Sequence, residues 1–576
     1  MAEPRSHTRQ ADASRAPIDG LSHVRGRTDQ PLSTLTISAW LDATAAARPD
    51  TLACVFSAQD QRWTWAQLRD QSDQLAAGLL ALGLARGDRL GIWSPNRSEW
   101  VLAQYASARI GVILVNINPA YRVFELEYAL NKVGCQALVL AQAFKTSHYV
   151  QMLQDLAPEL AGCAAGALKA QRLPHLRSAI SMGDEATPGC YRFADVMGQA
   201  TPERRAQALA IGRQLDCHDA INVQFTSGTT GSPKGATLTH HNIVNNARDV
   251  ARTMGLQAGD RLAIPVPLYH CFGMVMGSLA CTTAGATMVF PGEGFDPVAT
   301  LTAVARERCT HLHGVPTMFI AELAAPGFAD FDLGSLRGGI MAGSPCPIEV
   351  MKQVNSLMHM TEVTIAYGMT ETSPVSFQSG TDDPLDQRVA TVGRVMPHLE
   401  VKVVDSAGRT VPVGETGELC TKGYSVMQGY WEDEARTAEA VVDGWMHTGD
   451  LATIDAQGYG NIVGRLKDMV IRGGENVYPR EIEEFLFSHP KISQVQVFGV
   501  PDKRYGEEVA AWIVLKPDAQ ATEDEIRDHC RAQLAHYKVP RYVRFVPELP
   551  MTVTGKAQKF LMRAQMIESL GLGTGA

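Results

Sequence analysis

From Thr51 the chain alternates short apolar runs with longer amphipathic ones: TLACVF, then WTWAQLRDQSDQLAAGLLALG, DRLGIW, SEWVLAQYASARIG, VILVNI, VFELEYALNKVG and CQALVLA. The short runs read as strands and the amphipathic ones as helices, a rhythm that predicts βαβ units around a parallel sheet covered on both faces. After Trp63, Leu68, Leu75, Leu79 and Leu82 recur at helical spacing and define one buried stripe. Residues 155–200, richer in Ala, Gly and Pro, lose the rhythm, which resumes at Ile221. Leu262 to Gly292 holds no Asp, Glu, Lys or Arg. Its prolines and glycines divide it into a strand, a buried helix and a strand rather than one membrane span. After about residue 390 the pattern becomes short strands with Gly and Pro turns, barrel-like or meander-like. Beyond Gly464 a compact α+β pattern begins, with helices at REIEEFLFSHP and TEDEIRDHCRAQLAHY and strands at ISQVQVFGVP and EEVAAWIVL. The boundary between these units is expected at GRLKDM, residues 464–469, and the polar residues 1–30 are expected to form a disordered tail.

Composition narrows the class. Lys plus Arg number 52 against 61 Asp plus Glu, a formal charge of −9, so the chain lacks the concentrated positive charge that binds nucleic-acid phosphates. The 11 cysteines form no C-x-x-C pair, which excludes zinc-ribbon and secreted disulfide frameworks and favours reduced thiols in the cytoplasm. The N-terminus has no apolar signal region, and Glu3, Asp12 and Asp19 argue against a transit peptide.

The most informative stretch for chemistry is Thr226-Ser-Gly-Thr-Thr-Gly-Ser-Pro-Lys-Gly235, directly after the apolar run INVQF. Small residues free backbone N–H groups, hydroxyls add donors and Lys234 adds charge, a combination that wraps a polyphosphate. It is not a Walker A loop, because the spacing fails and Gly235 stands where Ser or Thr would hold magnesium.

Four further blocks follow in order: Ala366-Tyr-Gly-Met-Thr-Glu371, Trp445-Met-His-Thr-Gly-Asp450, Gly464-Arg-Leu-Lys-Asp468 with Arg-Gly-Gly-Glu-Asn476, and Pro550-Met-Thr-Val-Thr-Gly-Lys556. Together they make residues 35–565 resemble the adenylate-forming superfamily of acyl-CoA synthetases, luciferases and peptide-synthetase adenylation domains. VNINPAYRVFELEYALNKVGCQALV, PLYHCFG, AGSPCP and IRGGENVYPREIEE are most similar to its medium-chain fatty acyl-CoA synthetase branch. The resemblance implies an α/β fold. A large domain, 31–466, would comprise two βαβ-type parallel-sheet subdomains and a β-barrel-like subdomain; a small mobile α+β domain, 467–570, would follow a hinge at Lys467.

It also implies a reaction in two halves. A carboxylate attacks the α-phosphate of ATP to give acyl-AMP and pyrophosphate, and the thiol of coenzyme A then displaces AMP. By resemblance, Thr226, Ser227, Gly228, Thr229, Thr230, Gly231 and Lys234 hold the phosphates, and Gly343, Ser344 and Pro345 border the nucleotide. Tyr367 stacks on adenine within the Tyr367-Gly368-Met369-Thr370 run, and Thr370 contacts the α-phosphate. Glu371 and Thr230 hold magnesium, a hard cation suited to oxygen ligands. Asp450 accepts the ribose hydroxyls, Arg465 holds the same sugar, and Lys556 bridges the reacting carboxylate and the α-phosphate. His270 gates the acyl site, which is lined by Phe272, Met274, Gly338, Gly339, Ala342, Gly343 and Val375, the paired glycines suiting either an open tunnel or close strand packing. Gly473, Gly474 and Glu475 border the coenzyme A entrance after rotation of the small domain.

The partners implied are a small carboxylic acid, ATP, magnesium and coenzyme A, with no nucleic acid and no transmembrane segment; a homodimer is compatible with the same reading. An aryl-CoA ligase, another acid-CoA ligase or a luciferase-like oxygenase fits the shared motifs. From another class, so does a nucleotide-binding scaffold without catalysis. With about twenty residues after Lys556, a peptide-synthetase module is the less expected relative.

Overall fold

The computed structural model describes residues 15–226, 233–344, 346–473, 475–552 and 555–572. Two large sheets hold the first part of the chain. One has eight strands, and its parallel centre is Ser178–Ser181, Ala137–Leu140, Arg89–Trp93, Ile113–Asn116 and Ala220–Thr226. The other has nine, with Leu52–Phe56, Thr287–Phe290, Arg261–Ala263, His311–Gly314, Gly338–Ala342 and Glu362–Gly368 running parallel. Both end in antiparallel pairs: Ala220–Thr226 with Lys234–Thr239 in the first, and Glu362–Gly368 with Val375–Gln378 in the second. The near-continuous burial of these strands follows from helices packed on both faces.

Helix Trp65–Ala81 shows how sequence sets an element. Thr64 and Gln67 form a capping box at its start, Leu68, Leu75 and Leu79 are fully buried, and Leu82 stands at its C-cap before Gly83 turns the chain at φ +82°. The stretch that loses the α/β rhythm supplies helix Phe193–Gly198, which packs on this same helix together with the following Pro202–Gly212. A Cβ at Gly78 would stand 2.1 Å from the Val196 carbonyl oxygen, so the close crossing requires glycine. Leu262–Gly292 folds as expected into strand, buried helix and strand, and the helix contains a π-helical segment, Met274–Leu279.

The β-rich segment forms a six-stranded antiparallel sheet around Leu399–Val404, Gly417–Gly423, Trp445–Ile454 and Gly460–Arg465. Its edge corrects the expected 1–30 tail. His23–Arg25 pairs with Leu399–Val404, and Ser22 and Val24 are fully buried. Backbone pairing to a sheet edge recruited a stretch whose side chains, Val24 apart, carry little apolar signal. Residues 1–14 lie outside the described residues.

The last part is a five-stranded sheet led by Ile492–Asp502 and Gly506–Leu515, covered by helices Pro479–Phe487, Glu523–Arg531 and Lys559–Ser569. The helix expected to run to Tyr537 stops at Arg531, and His536–Lys538 forms a single 3-10 turn. One apolar core runs from Val24 to Ile454, and separate cores begin at Val470. None of the eleven cysteines is paired in a disulfide. Among the described residues, no helix is long and apolar enough to cross a membrane.

Candidate active site

Thr226 and Lys234, at the two ends of the expected phosphate loop, stand on the antiparallel hairpin of the eight-stranded sheet. Thr226 faces Lys234 across it, and the Thr226 hydroxyl donates to the Lys234 carbonyl at 3.4 Å. Ser227, Gly228, Thr229, Thr230 and Gly231, expected to hold phosphate, lie outside the described residues, as does Pro345. Lys234 sends its ammonium 4.5 Å over the ring of Tyr430, whose strand pairs with the next turn of the hairpin at Ala236.

Tyr430 also reaches the other side of the site. Its hydroxyl donates to Glu371 Oε1 at 2.9 Å, and the Glu371 carbonyl accepts from the Met427 N–H. Glu371 is buried, at 5% exposure, in the 3-10 turn Thr370–Thr372 that follows the strand Glu362–Gly368. Among the described residues no Lys or Arg pairs with it directly. A buried carboxylate with no directly paired cation offers hard oxygen donors to Mg2+. Tyr430 was not singled out from the sequence; the only signal was an aromatic pair after glycine in Gly429-Tyr430-Trp431.

Tyr367 ends the same strand. Its hydroxyl donates to Asp450 Oδ2 at 2.6 Å, while Arg465 Nε lies 3.3 Å from Asp450 Oδ1. Asp450 and Arg465 are directly opposed on neighbouring antiparallel strands, which brings residues fifteen apart to one place. Burial holds the Tyr367 phenol well above its ordinary pKa, so it remains a donor. Gly368 adjoins a bulge, where a Cβ would stand 1.8 Å from the Pro374 carbonyl oxygen.

Lys556 arrives from the small domain and lies half-buried within electrostatic reach of these groups. Its pKa is lowered by desolvation first and by the Arg465 charge second, against the opposing pull of Asp450 and Glu371. The preceding turn seats Gly555 beside Val315 and Thr317 of the large domain, at φ +75° with a Cβ position only 2.7 Å from Val315 Cγ2. Arg480 Nη1 adds a bond to the Ile462 carbonyl. A cavity of about 620 Å³ opens where the two domains meet, between Pro267, Tyr269 and Thr317 on one side and Leu549, Met551 and Thr552 on the other.

His270 stands within electrostatic reach of Lys556. Its Nδ1 accepts the Phe272 N–H at 3.2 Å, which leaves Nε2 to carry the proton. Burial, and then Lys556, pushes its pKa down to about 3, so the imidazole is neutral. The neighbouring Cys271 thiol donates to Gln224 Oε1 at 3.1 Å and is pushed up to about 12 by burial, an inert group.

The expected acyl lining comes from three elements. Phe272 packs against His313 at 5.2 Å between ring centroids, and the Met274 sulfur lies 3.6 Å from Asn116 Nδ2. His313 Nε2 bonds the Met276 carbonyl at 3.0 Å and ties the π-helical segment to the sheet. Ala342 and Val375 are buried, and Val375 exchanges two backbone bonds with the Asn246 side chain. Gly338 and Gly339 are explained by packing. A Cβ would meet the His311 ring at 3.0 Å at the first, and the Leu312 carbonyl oxygen at 1.9 Å at the second, where φ is +137°. Gly343, at φ +94°, leads into Ser344 and faces Val315.

The hairpin expected at the coenzyme A entrance pairs Val470–Arg472 with Glu475–Val477 and leaves Gly473 and Glu475 exposed; Gly474 lies outside the described residues. No bond of Gly473 or Glu475 reaches the Asp450 site among the described residues, and the Gly473 N–H donates to the Tyr505 carbonyl.

The sequence profile of the AMP-binding enzyme family matches residues 41–431, and that of the AMP-binding enzyme C-terminal domain matches residues 481–556. The chain belongs to the AMP-binding enzyme family. Its two matched segments flank the hinge candidate Lys467. This AMP-binding enzyme is similar to the mitochondrial medium-chain acyl-CoA ligase ACSF2 of Danio rerio, 48% identical over 96% of this chain and 91% of that protein. The Homo sapiens protein of the same name is 46% identical over the same shares. Among solved structures, the anthranilate CoA ligase AuaEII in complex with anthranoyl-AMP matches with a TM-score of 0.82 and 27% identity, over 94% of this chain and 99% of that one.

Proposed function

We propose that this AMP-binding enzyme activates a medium-chain fatty acid with ATP to acyl-AMP and pyrophosphate, then transfers the acyl group to coenzyme A with release of AMP. The observation that carries the reading is the half-buried Lys556, brought by the small domain within electrostatic reach of Asp450, Arg465 and Glu371. The medium-chain assignment is supported by the two ligases named above and by the apolar side chains of Phe272, Met274 and Val375.

In the first half-reaction a carboxylate oxygen bonds to the α-phosphorus while the bond to the bridging oxygen of pyrophosphate breaks. Negative charge builds on the phosphoryl oxygens, where the Lys556 ammonium and the Thr370 hydroxyl stand, and Lys234 serves the departing phosphates. Asp450, oriented by Tyr367 and Arg465, fixes the ribose. Glu371, with Thr230, would hold Mg2+, which when bound neutralises phosphate charge. In the second half the thiolate sulfur attacks the acyl carbon and AMP departs with the bonding electrons. Neutral His270 presents an N–H donor without adding charge to the acyl site.

Lys467 is our hinge. It lies in the turn Leu466–Asp468 between the separate cores, flanked by Leu466 and Ile471, which are 50% and 52% exposed in this arrangement. Rotation about it would withdraw Lys556 and present Gly473, Gly474 and Glu475 to the thiol. The apolar side chains held in water beside the hinge support a second domain position that covers them. We propose a cytoplasmic location on the unpaired thiols; fractionation decides this against the mitochondrial location of the named relatives.

Turnover of ATP to AMP with coenzyme A, measured for saturated acids from acetate to palmitate and for benzoate, tests the substrate. A maximum at medium chain, with the thioester identified by mass, is expected. A preference for benzoate would replace the assignment with an aryl-CoA ligase.

A further inference from the structure

We infer that Glu418, Cys420 and His447 form a binding site for a borderline-soft divalent cation such as Zn2+. Glu418 and Cys420 are two apart on the strand Gly417–Gly423 and share a face, and His447 lies directly opposite Cys420 on Trp445–Ile454. Cys420 Sγ is 3.5 Å from His447 Nδ1, and His447 Nδ1 is 2.9 Å from Glu418 Oε2; all three donor atoms lie within 4.8 Å of one another.

These separations match a shared cation. With Zn–S near 2.3 Å and Zn–N near 2.0–2.1 Å, a tetrahedral centre sets sulfur and nitrogen about 3.5 Å apart. The nitrogen and carboxylate oxygen would need to part by only a few tenths of an ångström. Soft sulfur, imidazole and carboxylate together select zinc over magnesium or calcium. Cys420 is fully buried, whereas Glu418 and His447 are 23% and 31% exposed, so the site has a sulfur floor and a solvent-facing mouth where water completes four ligands.

The supporting contacts are in place. Glu418 Oε1 accepts the Gly449 N–H at 3.0 Å, which orients the carboxylate as an outer-shell bond does. The thiol gives up its proton on binding, and the imidazole proton moves to Nε2, so one proton is released and binding tightens as pH rises. Carboxylate and thiolate together neutralise the dication, so the ammonium of Lys402, which pairs with Cys420 and sits over the Trp445 ring, faces a neutral centre. A cation here would clasp the turn that carries Asp450: Gly449 bonds Glu418, and the Asp450 N–H bonds Thr448 Oγ1. The site thus lies three residues from the ribose carboxylate but uses none of the catalytic groups.

The test is a Co2+ titration of full-length protein stripped with a chelator, with Zn2+ displacing the bound Co2+. One equivalent should show a thiolate-to-cobalt charge-transfer band and the intense visible bands of tetrahedral cobalt. Both should vanish in Cys420→Ala and in His447→Gln, with Zn2+ affinity at least about tenfold weaker in each. Cys217→Ala, a buried thiol between exposed Asp216 and His218, should leave the spectrum unchanged. His447→Gln keeps the buried thiol, so its loss of the bands cannot be ascribed to a disturbed core. Bands that persist in either Cys420→Ala or His447→Gln, or wild-type protein that binds no cobalt through a thiolate, would overturn the site.

Discussion

At the scale of single residues, the account rests on which groups are charged. Lys556 has a pKa below that of an ordinary lysine, because burial and Arg465 both disfavour the ammonium. On its proposed role adenylation uses that ammonium, so its rate should be sustained at low pH and fall as pH rises through a value below 10.5. In Lys556→Arg, whose guanidinium stays charged, that alkaline limb should disappear even if the rate is low. A limb unchanged in Lys556→Arg assigns it to another group. His270, with a pKa near 3, should contribute no limb between pH 5 and 8. Tyr430→Phe removes the donor to Glu371, and a lost bond to a charged group predicts a fall of order tenfold in kcat/KM for ATP. An unchanged value would show that Glu371 needs no such orientation.

At the scale of elements, backbone geometry decides. Gly339→Ala combines a φ of +137° with a Cβ 1.9 Å from a carbonyl oxygen, and should destabilise the large domain by about 3 kcal/mol or more in denaturant titration. Gly83→Ala, at φ +82° with open space around it, should cost only about 1–2 kcal/mol. Equal costs would mean that the contact with Leu312 relaxes. The strand and helix periods were legible in the sequence because burial on two faces and amphipathic stripes leave different signatures, as at Leu68, Leu75 and Leu79. The pairing of His23–Arg25 was not, since main-chain bonds to Leu399–Val404 leave almost no trace in side-chain type. The motif residues Tyr367, Asp450, Arg465 and Lys556 were readable by resemblance and converge in space. Tyr430, the contact between the phosphate hairpin and Glu371, needed the fold, because its register with Ala236 joins strands nearly two hundred residues apart.

At the scale of the whole molecule, two domains meet at one site and only the small one carries Lys556. Substitution of Pro at Lys467 should leave acyl-AMP formation largely intact and slow thioester formation, because the turn must change its dihedrals for the domain to rotate. Equal loss of both half-reactions would remove Lys467 from the hinge. The most direct measurement is single-turnover kinetics of Lys556→Ala in both halves of the reaction, with decanoate and ATP for one and supplied decanoyl-AMP and coenzyme A for the other. Pyrophosphate release should fall by about 100-fold or more, while decanoyl-CoA forms from decanoyl-AMP near the wild-type rate. Undiminished pyrophosphate release, or an equal collapse of both halves, would contradict the claim that Lys556 serves the adenylation half-reaction.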